Sequence, residues 1–118
     1  MLKAILKHFE TPDETRVFKK GKFEIVNIGG MTIGKATYEP GWRWSKHVSP
    51  IAGTPLCPVE HVGMVISGRA IAAMEDGAEI DLVSGSLFYI PPVAHDSWVV
   101  GEEPYVSLHF QGAENYTK

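Results

Sequence analysis

The chain has 118 residues, 44% of them apolar and 21% charged, with a formal net charge of -3. That is one domain, long enough to bury roughly two thirds of its unfolded surface without disulfides. Eleven Lys and Arg against fourteen Asp and Glu supply no field for phosphates, which argues against a nucleic-acid binder.

The first segment, residues 1–22, holds much of the basic excess, dispersed over Lys3, Lys7, Arg16, Lys19, Lys20 and Lys22 like a solvated face. Leu2, Ile5, Leu6 and Phe9 have helical spacing over Leu2–Glu10, although an edge strand fits them equally well. Neither this stretch nor any later run is long and apolar enough for a signal peptide or a membrane span. With a single cysteine, Cys57, there is no internal disulfide, and a free thiol suits a reducing, cytoplasmic setting.

Short runs rich in Val, Ile, Phe, Tyr and Thr then follow, divided by Gly and Pro. They predict strands at Phe23–Ile28, Met31–Glu39, Val59–Ser67, Arg69–Glu75, Glu79–Leu82, Leu87–Ile90, Ser97–Val100 and Tyr105–Phe110. Gly29-Gly30 and Asp76-Gly77 are signals for tight hairpin turns. So many short strands mean an all-β sandwich or barrel, here over residues 23–110, with 111–118 as a tail. The stretch Pro40–Pro58 breaks the pattern with four prolines and two tryptophans. Loops of that length in small domains usually bind or cover a ligand.

The chain has no nucleophile elbow, phosphate-binding loop or dinucleotide fingerprint. What remains is a set of imidazole and thiol donors: His47, Cys57, His61 and His95, with Glu60 and His109 as outsiders. On one straight strand Cys57 and His61 would stand about 13 Å apart, too far for one ion. Pro58 disfavours a straight strand, and a turn there would let the two converge. Each donor also has a plain reading. His47 could be a solvated loop residue, and Cys57 an inert buried thiol. His109 shares a strand face with Tyr105 and Ser107 and reads as structural. Glu60 points away from His61, and Asp96 is either a turn residue or an orienter of a ligand imidazole. Arg43, Trp44, Trp98 and His109 could form a pocket for an organic ligand, with Arg43 on a carboxylate and the indoles as a wall. The alternative for these aromatics, as for Trp42, is core or rim packing.

The run Gly85-Ser-Leu-Phe-Tyr-Ile-Pro91-Pro92-Val-Ala-His95 resembles the second motif of the cupin superfamily of small β-barrels. It is one residue short, with Val93 where Gly is usual. Counting back from Gly68 sets His61 in the place of the first motif's Glu and Cys57 in that of its second His. Pro55 then occupies the first His place, while counting forward from Gly41 leads to His47. The resemblance, strongest to small bacterial single-domain members, covers residues 23–110. It implies an all-β jelly-roll barrel holding one divalent transition metal ion (zinc, iron, manganese or nickel) through His47, Cys57, His61 and His95. It also implies a homodimer and a small-molecule ligand, while the charge balance and the short apolar runs leave neither nucleic acid nor membrane as an expected partner. The expected function is a metal-dependent enzyme of oxygenase or isomerase type, acting on a small organic acid or carbonyl compound. A non-catalytic sensing module is the alternative. The ligand count separates them, since four protein ligands would close a tetrahedral site and three would leave a position open.

Overall fold

The computed structural model describes residues 3–113. Nine strands follow in chain order: β1 Glu14–Phe18, β2 Gly21–Ile28, β3 Met31–Tyr38, β4 His61–Ser67, β5 Arg69–Met74, β6 Glu79–Val83, β7 Leu87–Ile90, β8 His95–Val99 and β9 Tyr105–Gln111. Two one-turn helices, α1 Trp44–His47 and α2 Ser49–Ala52, lie between β3 and β4. The strands form a six-stranded sheet in the order β1-β2-β3-β9-β4-β7 and a three-stranded sheet in the order β6-β5-β8. All pairings are antiparallel, as an all-β jelly roll requires. No helix among the described residues is long and apolar enough to cross a membrane.

Alternation sets which side chains face inward. Phe23 and Ile25 on β2, Ala36 and Tyr38 on β3, and Tyr105, Ser107 and His109 on β9 are buried in turn. The inner positions of β5 are Ala70 and Ala72, too small to fill the space between the sheets. Gly34 belongs to the same economy of volume, because the Phe23 ring occupies the place its Cβ would take. The barrel is therefore packed solid at the Phe23 end and left hollow beside β5.

All eight expected strands begin and end within two residues of observed ones, and Leu87–Ile90 agrees at both ends. The barrel starts earlier than residue 23, however. β1 was not expected at all: of its five residues only Phe18 is buried, so an edge strand of charged and polar residues shows no apolar alternation. Residues 3–8 form no helix, and Leu2 lies outside the described residues. The tail also begins later than 111, since Gln111 completes β9 and Gly112 and Ala113 are buried; 114–118 lie outside the described residues. Gly29 and Gly30 both have positive φ, as a tight primed turn demands, but at Asp76-Gly77 only Gly77 does. There the amide of Gly77 bonds the Met74 carbonyl at 3.0 Å, giving a longer loop that ends on the left-handed glycine.

Candidate metal centre

Cys57 and His95 face each other across an isolated antiparallel bridge. The amide of Cys57 donates to the His95 carbonyl at 2.8 Å, and that of His95 returns to the Cys57 carbonyl at 3.0 Å. Such a doubly bonded pair points both side chains to the same face. After Cys57 the chain leaves extended pairing for three residues, Pro58 to Glu60, then enters β4 at His61. The break brings His61 back over Cys57, with Sγ to Nε2 at 3.6 Å. His61 thus comes from the large sheet, His95 from the small one, and Cys57 from the segment between β3 and β4, which bridges to β8.

One donor atom from each of Cys57, His61 and His95 lies within 4.8 Å of the others, and all three residues are buried. A thiolate bond of about 2.3 Å and an imidazole bond of about 2.0–2.1 Å at a tetrahedral angle span about 3.5 Å. The sulfur-to-nitrogen spacing in the protein already has that value. The His95 ring is oriented by Nδ1, which donates to the Val93 carbonyl at 2.8 Å and so leaves Nε2 as the lone-pair donor. Burial holds the pKa of His61 well below the ordinary histidine value, helped by repulsion from His109 and His95. Burial also lowers that of His95, partly offset by the Val93 bond. Both imidazoles are therefore neutral at neutral pH, the state a metal needs. The Cys57 thiol is pushed up to about 12 by burial, so a metal must displace its proton. The donor set fits a transition ion.

His47 is not part of this cluster. It ends α1, and its Nδ1 accepts the amide of Arg43 at 3.0 Å, closing the one-turn helix on itself. The loop that was expected to carry His47 to the metal curls into α1 and α2 instead.

The expected pocket residues also separate. Arg43 donates to Asp96 at 3.0 Å and lies over the Trp98 ring, 4.2 Å from its centroid. Asp96 in addition accepts the amide and hydroxyl of Ser45 at 3.0 and 2.8 Å. Arg43, Trp98 and Asp96 therefore stitch the helical loop to β8, and Asp96 orients the loop rather than a ligand imidazole. Glu60 does point away from the cluster, accepting bonds from Tyr89 and Gln111 at 2.7 and 2.6 Å.

Only His109 of that set lines the interior cavity, which measures about 30 Å³ and also reaches His61 and His95. Trp44 is buried but lies off it, and the indole on the wall is Trp42. Trp42 stacks on Tyr38 with centroids 3.7 Å apart and planes 3° apart. Opposite, His109 Nε2 and the Ser107 hydroxyl are 3.0 Å apart, and Ser107 also bonds Tyr105. The His109 ring meets His61, Phe23 and Phe88 edge-on, at 5.4, 5.3 and 5.8 Å. Burial takes its pKa down to about 4, so it is a neutral wall residue that buttresses His61. Strand parity had put Tyr105, Ser107 and His109 on one face. No local signal distinguished Trp42 from Trp44.

No family model matches the chain, and no curated protein does. Solved structures do. A protein of unknown function from Rhizobium leguminosarum superposes with a TM-score of 0.62 at 20% identity, over 92% of this chain and 95% of that one. A cupin-like protein from Thermotoga maritima gives 0.58 at 14% identity, over 98% and 85%. An oxalate decarboxylase from Lactobacillus farciminis, in a formate complex, gives 0.59 at 18% identity, and there the match spans 84% of this chain but 30% of that one. The fold is that of the cupins.

Proposed function

We propose that this cupin binds one divalent transition metal ion through Cys57, His61 and His95 and acts on a small organic acid or carbonyl compound. The observation that carries the reading is the convergence of three buried donors, two of them imidazoles, beside an interior cavity. Three protein ligands leave a coordination position open, which the four-ligand set including His47 would not. Among zinc, iron, manganese and nickel, the thiol donor favours zinc. When bound, such an ion supplies Lewis-acid polarisation of a ligand oxygen or a site for dioxygen.

The chain's own residues set the conditions. The Val93 carbonyl fixes which nitrogen His95 presents, and His109 holds the His61 ring from behind. The cavity limits what can enter: about 30 Å³ holds two or three water-sized bodies, since each needs about 10–15 Å³. Bulkier substrates would have to displace side chains of its lining.

A non-catalytic sensing module is the second reading, favoured by one observation. The residues lining the cavity include no carboxylate and no lysine, and burial leaves His109, with a pKa of about 4, a weak base.

The test is elemental analysis of untagged protein prepared without chelator, beside a His61→Ala, His95→Ala double variant. About one equivalent of transition metal, absent from the variant, is the expected result. No uptake by the native protein, even after reconstitution with several ions, overturns the metal reading. Saturable small-molecule binding by the loaded protein with no turnover would favour the sensor.

A further inference from the structure

Trp42 poses a problem of hydrogen bonding that the metal reading does not use. Its side chain is 1% exposed, and its indole N–H has no acceptor among the described residues. Indole is a donor only, and a buried donor left unpaired is costly. The indole of Trp44 is in the same position but stands away from the cavity. Trp42 walls the cavity, one ring face covered by Tyr38. That cavity offers the space an acceptor for it would need.

Charge narrows the acceptor further. A divalent ion held by one thiolate and two neutral imidazoles leaves one net positive charge in a buried site. The cavity lining contains no carboxylate to offset it. An uncompensated charge in the interior is strongly unfavourable, and a monovalent anion removes it. Size completes the description, because about 30 Å³ admits a body of about three non-hydrogen atoms.

We infer that the cavity takes a small monoanion of carboxylate type, one oxygen of which accepts a hydrogen bond from the indole N–H of Trp42. This deepens the metal-binding reading and rests on it. Trp42 is then the residue that selects for an acceptor oxygen, while the aromatic pair Trp42–Tyr38 sets the size limit.

The chain has three tryptophans, so three indole N–H signals can be followed by nitrogen-15 NMR. Zinc content is measured first, and failure to take up zinc or, on reconstitution, iron, manganese or nickel overturns the metal reading together with this inference. The zinc-loaded protein is then titrated with formate. The Trp42 indole signal should shift to saturation while those of Trp44 and Trp98 stay in place. In Trp42→Phe, which keeps a ring against Tyr38, formate affinity followed at the Ser97 amide should fall about 10- to 100-fold. Trp44→Phe should leave it unchanged. If Trp42→Phe does not fold, Trp44→Phe and Trp98→Phe assign the wild-type signal by elimination, and its response decides. Zinc uptake without saturable formate binding overturns the inference but leaves the metal reading standing. So does saturation that leaves the Trp42 signal unmoved, or an unchanged affinity in Trp42→Phe.

Discussion

Of the three proposed ligands, Cys57 departs furthest in chemistry from an all-imidazole or carboxylate site. Its thiol, raised to about 12 by burial, is protonated in the metal-free protein, whereas His61 and His95 are already neutral. Metal uptake at neutral pH should therefore release one proton, and that proton comes from sulfur. Zinc affinity should rise about tenfold per pH unit upward from neutrality, because the competing proton becomes scarcer as pH approaches the thiol's value. Calorimetry in buffers of different ionisation enthalpy counts the proton directly. In Cys57→Ser the count should fall to near zero, and zinc affinity should drop beyond the roughly 10–100-fold that loss of an outer partner costs. A serine variant that still releases one proton at full affinity would show that Cys57 is not a ligand. At this scale the sequence was informative because Pro58 disfavoured a straight strand between Cys57 and His61. It misled at His47, whose ring accepts the Arg43 amide four residues back. A bond inside one helical turn leaves no trace in the spacing of metal ligands.

Among the elements, β4 carries most of the positional burden. It presents His61 to the cluster and pairs with both β7 and β9, with register shifts against β9 between Val62 and Gly63 and between Val65 and Ser67. Gly63 faces inward, and a Cβ there would run into the Leu108 carbonyl and the Phe88 ring. Backbone cannot yield as a flexible side chain can. Gly63→Ala should destabilise the protein by about 1–3 kcal/mol, read as a lower denaturation midpoint at unchanged slope. Wild-type stability in that variant would mean that β4 and β9 are looser than their pairing indicates. Strands such as Leu87–Ile90 were legible because one face is buried and the alternation is clean. β1 was not, since its charged side chains pair locally: Arg16 bonds Glu14 at 2.6 Å. The loop from Pro40 to Pro58 was recognisable as unusual, but its two short helices depend on Asp96, fifty residues further along. A tertiary contact of that kind has no sequence period.

For the molecule as a whole, the cluster is a bridge between layers. His61 belongs to the six-stranded sheet and His95 to the three-stranded one. The face between the sheets is weakly filled near β5, where Ala70 and Ala72 leave the cavity open. An ion bound to His61 and His95 would tie the sheets together at that point. Binding to the folded state alone adds stability with the logarithm of ligand excess, about 2.7 kcal/mol at a hundredfold excess over Kd. For a domain of this size that corresponds to a rise in Tm of about 10 °C. Thermal unfolding with added zinc should show such a rise, reversed by chelator. His95→Ala should remove the zinc response. His47→Ala should keep it in full, since His47 caps a helix outside the cluster. A zinc response lost in His47→Ala but kept in His95→Ala would move the site into the helical loop. The two sheets would then be held by side-chain packing alone.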